Sequence, residues 1–89
     1  SLTIDVAAQN VAFDRSSIAV PANTTITVNF RNNDVSVPHD FGVSIPGVPH
    51  TATCNGPCTA SITFNSGAPG TYTFQCSIHP SMVGGFTVQ

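Results

Sequence analysis

The stretch Thr24–Phe30, which reads TTITVNF, decides the fold class of this 89-residue chain. Apolar Ile26, Val28 and Phe30 alternate with polar residues, which is the pattern of a β-strand with one buried face and one wet face. The alternation recurs at Leu2/Ile4/Val6, Ile62/Phe64, Tyr72/Phe74 and Phe86/Val88, with turn-forming residues between these segments. The pattern predicts an all-β fold, a Greek-key antiparallel β-sandwich of about eight strands, with residues 1–89 as a single domain.

The composition excludes several classes of protein. Hydrophobic residues make up 40% of the chain, which is too high a fraction for a disordered segment. Only 7% of the residues are charged and the net charge is -2 without a basic cluster, so we expect no binding to nucleic acid. No apolar run approaches the roughly 20 residues of a transmembrane helix, and we therefore expect no transmembrane segment.

The three cysteines divide into a close pair and a single residue. Cys54 and Cys58 flank a turn-forming Asn-Gly-Pro sequence in an irregular segment. We predict a disulfide between them, formed in an oxidising compartment, in preference to a metal site or a redox-active pair. A binuclear copper centre would need a histidine four residues after Cys58, and Ile62 occupies that position.

The remaining cysteine, Cys76, begins a segment that carries three kinds of metal ligand. His79 lies three residues further on, and Met82, the single methionine of the chain, follows after another three. A loop this short, stiffened by Pro80, can bring the thiolate, imidazole and thioether together. Soft sulfur ligands combined with imidazole select copper over hard cations, and a thioether is a poor ligand for zinc. The segment therefore predicts a site for one copper ion.

A second histidine would complete such a site. His39 lies in an apolar row that we predict to form one buried strand face, made of Val35, Val37, His39, Phe41, Val43 and Ile45. A histidine in such a row is commonly a satisfied core residue, but the loop that starts at Cys76 offers it a metal to bind. His39, Cys76 and His79 would form a trigonal plane with Met82 as a longer axial ligand, which is a type 1, or blue, copper site.

These segments resemble the cupredoxins, the small mononuclear blue copper proteins. Val37–His39 is similar to the upstream ligand segment of the family, and Gly70–Cys76 is similar to the strand that leads into its cysteine. The Cys-x-x-His-Pro-x-Met spacing is most similar to that of amicyanins. The resemblance implies that the chain shuttles one electron by the Cu(II)/Cu(I) couple between transient protein redox partners, such as a cytochrome, an oxidase or a dehydrogenase.

The resemblance also implies a periplasmic or otherwise extracytoplasmic location, with a membrane tether in a longer precursor as one arrangement; we expect a monomer. By the same analogy, electrons pass through the exposed edge of His79, amid an apolar patch formed by Pro38, Pro80, Met82 and Val83. We expect no enzymatic activity, because four protein ligands leave the metal no open position. A periplasmic copper chaperone or storage protein is the alternative, since such proteins use similar ligands.

Position 40 departs from the cupredoxin pattern. Most cupredoxins have asparagine after the upstream histidine, where it bonds to a hydroxyl residue that follows the cysteine. Here Asp40 follows His39 and Ser77 supplies the hydroxyl. We expect Asp40 to accept a hydrogen bond from Ser77 and to add negative charge near the metal. We interpret His50, which lies in the irregular segment, as a surface histidine.

Overall fold

Two main sheets and a two-stranded ribbon make up a computed structural model that describes residues 1–89. The strands are β1 (Leu2–Ala8), β2 (Ser17–Val20), β3 (Thr25–Asn32), β4 (Pro38–His39), β5 (Gly42–Val43), β6 (Cys54–Asn55), β7 (Cys58–Asn65), β8 (Gly70–Gln75) and β9 (Val83–Val88). The first sheet has the order β1-β3-β7, the second has the order β2-β9-β8-β5, and the ribbon pairs β4 with β6. The predicted all-β sandwich is confirmed.

Each main sheet contains one parallel pair of strands. β1 runs parallel to β3, and β2 runs parallel to β9, whereas the other pairs are antiparallel. The parallel pairs arise because the chain crosses to the second sheet after β1 and returns to the first sheet after β2. No helix in the structure has the length and apolar character needed to cross a bilayer.

The core lies between the two sheets, where the period-2 pattern predicted it. In β3, the alternate residues Ile26, Val28 and Phe30 are at most 1% exposed. They belong to a single cluster of 16 buried apolar residues that draws on both sheets. Burial of these side chains is the main stabilising contribution, since each fully buried aliphatic or aromatic residue contributes about 1.5–3 kcal/mol.

Four phenylalanines pack together beside the segments that carry the candidate ligands. The rings of Phe13, Phe30, Phe41 and Phe74 have centroid separations of 5.3 to 6.3 Å. Phe41 stands two residues after His39, and Phe74 stands two residues before Cys76. Because Phe41 and Phe74 stack with centroids 5.6 Å apart, the core fixes the two ligand segments relative to each other.

The segment Val35–Ile45 does not form the continuous strand that its alternation predicts. It breaks into β4 and β5, Val35 is 72% exposed, and Asp40 is only 3% exposed. The prediction of a single buried face is therefore wrong here. The carboxylate of Asp40 turns inward to bond with Ser77, so His39, Asp40 and Phe41 are buried in succession.

Candidate metal centre

Three candidate ligands that are distant in sequence meet at one end of the sandwich. The Sγ atom of Cys76 lies 3.8 Å from Nδ1 of His39 and 3.8 Å from Nδ1 of His79. The ligand atoms of all three residues lie within 4.8 Å of one another. His39 and Cys76 are fully buried, whereas His79 is half-buried, so one edge of the group faces solvent.

The loop that follows β8 is closed by its own backbone hydrogen bonds. The N–H of Met82 donates to the carbonyl of His79 (2.8 Å), which makes residues 79–82 a β-turn with Pro80 at the position that proline favours. The N–H of Cys76 donates to the carbonyl of Met82 (3.1 Å), which joins the two ends of the loop. The side-chain amide of Gln75 donates to the carbonyl of Pro80 (3.2 Å). This network holds Cys76 and His79 together, and Met82 is 2% exposed.

The ribbon of β4 and β6 holds His39, whereas Cys76 and His79 belong to the loop after β8. His39 in β4 pairs with Cys54 in β6, and Cys54 is joined by the predicted disulfide to Cys58 at the start of β7. The buried amide of Asn32 donates to the carbonyls of Val37 (2.8 Å) and Cys54 (2.9 Å). The end of β3 and the disulfide thus attach the ribbon to the first sheet.

Sequence reasoning did not identify Asn32, although the residue carries a signal. Asn32 continues the parity of Ile26, Val28 and Phe30, and a polar residue at the end of a buried row needs a specific partner. The structure supplies those partners at Val37, directly before β4, and at Cys54 in β6.

A carboxylate lies behind the buried histidine. Oδ2 of Asp34 is 2.7 Å from Nε2 of His39, and the same carboxylate accepts the N–H groups of Asn10 (2.6 Å) and Val11 (2.9 Å). The N–H of Val11 and the hydrogen bond from His39 hold the pKa of Asp34 below 3.8. Sequence reasoning did not identify Asp34, because its five-residue separation from His39 matches neither the strand period nor the helix period.

The predicted link between Asp40 and Ser77 is present. Oδ2 of Asp40 accepts the hydroxyl of Ser77 (2.5 Å), and Oδ1 accepts its backbone N–H (2.7 Å). Burial favours the neutral form of Asp40, but the two bonds from Ser77 and the nearby His50 outweigh it and lower the pKa below 3.8. His50 is 41% exposed, with Nδ1 3.3 Å from Oδ2 of Asp40. It is therefore at the surface, as predicted, but it packs over Gly42, where a β-carbon would collide with its ring.

The donor set fits a copper ion. Nitrogen and sulfur ligands bind first-row metal ions at about 2.0–2.3 Å, which places two donors roughly 3.7 Å apart in a trigonal arrangement. The two sulfur–nitrogen distances of 3.8 Å match this separation, and one thiol could donate a hydrogen bond to only one of the rings. One thiolate, two imidazoles and a nearby thioether are the ligands typical of a blue copper site.

The similarity to known proteins covers nearly the whole chain. The model of the cupredoxin-like domain matches residues 1–88. Auracyanin from the photosynthetic bacterium Roseiflexus castenholzii superposes with a TM-score of 0.88 at 26% identity, covering 100% of this chain and 98% of that chain. Auracyanin A from Chloroflexus aurantiacus, a "blue" copper protein, gives 0.85 at 22% identity and 98% coverage of each chain.

An amicyanin variant in its reduced Cu(I) form has the same fold, with a TM-score of 0.73 at 21% identity, covering 98% of this chain and 82% of that chain. Among curated proteins none matches the chain. The family model spans all but the last residue of the chain. The chain belongs to the family of cupredoxin-like domains.

Proposed function

We propose that this chain is a mononuclear type 1 copper protein that carries one electron at a time between protein redox partners. The observation that carries the proposal is the convergence of the only free thiol of the chain with two imidazoles. In this proposal His39, Cys76 and His79 would hold the copper ion, and the thioether of Met82 would be a fourth, weaker ligand. A copper ion held by these residues supplies one-electron chemistry through the Cu(II)/Cu(I) couple.

The contribution of the protein is to hold the ligands with little rearrangement. His39 belongs to a strand anchored by Asn32 and the disulfide, and Cys76 directly follows β8. The hydrogen bonds within the loop restrain His79. Full burial of His39 and Cys76 keeps bulk water away from the site. Cu(II) and Cu(I) prefer different geometries. A restrained site cannot relax far toward either one, so little rearrangement accompanies the transfer of an electron.

Partners are expected to dock around His79, the ligand that reaches the surface. Its neighbours Ile78 and Val83 are 39% and 51% exposed, and Pro80 is also exposed. Met82, which we expected in this patch, is only 2% exposed and does not belong to the docking surface. Since the chain has only two cationic and four anionic residues, long-range steering should be weak. Docking should therefore be transient and only mildly dependent on salt.

An extracytoplasmic location belongs to the same proposal. The disulfide between Cys54 and Cys58 is typical of proteins that mature in oxidising compartments such as the periplasm. We further propose that residues 1–89 act as one copper-binding domain, since the ligands come from segments that span both sheets and the ribbon.

Copper titration of the purified chain tests the proposal. The expected result is binding of one equivalent of Cu(II), with the intense visible absorption of a copper–thiolate bond. Cys76→Ser should abolish this absorption, whereas the matched double variant Cys54→Ala/Cys58→Ala should retain it. A colourless wild-type protein, or a coloured Cys76→Ser variant, would refute the assignment.

Copper exchange separates the electron carrier from a chaperone or storage protein. Delivery proteins hold copper in flexible, exposed sites, whereas this site lies between buried and hydrogen-bonded segments. We therefore expect slow transfer of copper to a competing chelator, together with reversible voltammetry. Rapid transfer without a reversible wave would favour the chaperone.

A further inference from the structure

The buried ring of His39 requires a partner on each of its two nitrogens. The ring is 0% exposed, and a buried N–H without an acceptor would cost about 1–3 kcal/mol. Nδ1 faces Sγ of Cys76 at 3.8 Å, so Nε2 must bond on the other side. Oδ2 of Asp34 occupies that position at 2.7 Å, and its side chain is only 11% exposed. An ionised carboxylate only accepts hydrogen bonds, so Nε2 is the protonated nitrogen and Nδ1 keeps its lone pair toward the site.

The carboxylate of Asp34 is itself held in place by backbone groups. The N–H of Asn10 donates to Oδ1 at 2.6 Å and the N–H of Val11 donates to Oδ2 at 2.9 Å. The backbone N–H of Asp34 donates to the side-chain oxygen of Asn32 at 2.9 Å. The first two bonds hold both oxygens of the carboxylate and the third holds the backbone of Asp34, so the position of the carboxylate does not depend on the histidine alone.

The turn at residues 10–11, which makes these bonds, has an unfavourable backbone conformation. Asn10 and Val11 both have φ of 55°, and valine is rarely found in this left-handed region because it is branched at the β-carbon. The N–H groups of Asn10 and Val11 both donate to the carboxylate of Asp34, and successive N–H groups in a turn are a known way to bind an anion. Strained residues of this kind persist where the surrounding structure over-determines them, often at functional sites.

The two histidines of the site therefore differ in their support. His79 has only Cys76 as a side-chain hydrogen-bond neighbour and reaches solvent. His39 bonds to the negatively charged carboxylate of Asp34, and that carboxylate is held by the turn at residues 10–11. Carboxylates placed behind a metal-binding histidine fix its tautomer and orientation and make it a stronger donor.

We propose that Asp34 is the positioning residue of the copper centre, which holds His39 as the Nε2–H tautomer and stabilises Cu(II) relative to Cu(I). The proposal rests on the proposed function, because it assigns His39 as a copper ligand. Negative charge close to the metal favours the more highly charged oxidation state. Asp34 should therefore lower the reduction potential of the centre and strengthen its hold on Cu(II).

Two variants at position 34 separate the charge from the hydrogen bond. Asp34→Asn keeps an oxygen acceptor but removes the charge, and we expect a fall of about tenfold in the preference for Cu(II) over Cu(I). For one electron, that fall corresponds to a rise in potential of about 59 mV. Asp34→Ala removes both features and should weaken Cu(II) binding about 10- to 100-fold. Asp5→Asn, which removes one charge from an exposed position in β1, is the matched control and should leave both quantities unchanged.

A measurement on the metal-free protein keeps this test independent of copper. Nitrogen NMR at alkaline pH should show a proton on Nε2 of His39 in the wild type and in Asp34→Asn, and a loss of this fixed tautomer in Asp34→Ala. If Asp34→Ala fails to fold, the wild-type tautomer and the potential of Asp34→Asn still decide the question. A proton on Nδ1 in the wild type, or an Asp34→Asn potential equal to that of Asp5→Asn, would overturn the proposal. A wild-type protein that shows this tautomer but does not take up copper would refute the proposed function instead.

Discussion

The carboxylate of Asp40 accepts two hydrogen bonds from Ser77, one from the hydroxyl at 2.5 Å and one from the backbone N–H at 2.7 Å. Asp40 directly follows His39 and Ser77 directly follows Cys76, so this pair joins the backbones of two candidate ligands. The asparagine usual in cupredoxins has a single oxygen acceptor, whereas the carboxylate accepts through both of its oxygens. The substitution therefore keeps the link between the two segments and adds a negative charge beside the site.

Removal of that charge should change the reduction potential. We expect Asp40→Asn to raise the potential of the copper-loaded protein, because less negative charge disfavours Cu(II). The expected change is tenfold or less in the relative affinity for the two oxidation states, or at most about 59 mV by voltammetry. Ser77→Ala is the control, since it removes the hydroxyl donor and keeps the charge, and it should cause the smaller shift. A potential that stays constant or falls in Asp40→Asn would contradict the prediction.

The two carboxylates with lowered pKa values should make the metal-free protein sensitive to acid. Asp34 and Asp40 have pKa values below 3.8 in the folded chain, so the folded state binds fewer protons than the unfolded chain near this pH. Their contribution to stability is complete above the unfolded pKa and is lost as the pH falls through the lower, folded values. Urea denaturation midpoints should thus be steady near pH 5 and decrease as the pH falls below about 4. Asp40→Asn should flatten this decrease, and a wild-type midpoint that is constant over the range would exclude the effect.

Loss of the disulfide should destabilise the fold by a modest amount. The bond between Cys54 and Cys58 closes a loop with a sequence separation of 4, for which the chain-entropy model gives about 2 kcal/mol. The variant Cys54→Ala/Cys58→Ala avoids new free thiols and should lower the free energy of unfolding by about this value, as measured with urea. A loss of less than about 0.5 kcal/mol would mean that the hydrogen bonds of Asn32 hold the ribbon without the disulfide.

Charge introduced beside His79 should slow electron exchange. Val83 is 51% exposed at the start of β9, next to the loop that contains His79. We expect Val83→Asp to reduce the rate of electron self-exchange at least several-fold, because two copies would meet with like charges in an apolar contact. The matched control is Ala68→Asp, which places the same charge in the loop before β8, at the end of that strand remote from Cys76. Equal rates in the two variants would argue against docking at this surface.

Predictions from sequence were most successful where the controlling interactions are local. The alternation in Thr24–Phe30 predicted which side chains of β3 are buried, since the direction of a side chain in a regular strand follows from covalent geometry alone. The spacing from Cys76 to Met82 similarly anticipated a compact loop, since proline and short separation restrict the backbone. The disulfide was predictable because Cys54 and Cys58 are separated by only a turn.

The failures at Asp40 and Asp34 involve side chains that bond to groups distant in sequence. Alternation suggested one strand from Val35 to Ile45, but the carboxylate of Asp40 turns inward to accept hydrogen bonds from Ser77, 37 residues away, and this breaks the strand. Asp34 carries no periodic signal in the sequence, although its carboxylate accepts the N–H groups of residues 10 and 11 and bonds to the ring of His39.

Taken by itself, the amino-acid sequence determined the all-β class, the buried row of each regular strand and the chemical types of the candidate ligands. Only the tertiary structure decided that His39 and His79 lie at equal distances from the thiol of Cys76, and that Asp34 lies behind the first of them. The reason is physical: strand periodicity and turn preferences act over a few residues. Hydrogen bonds between connections, by contrast, depend on how the packed sheets place those connections in space.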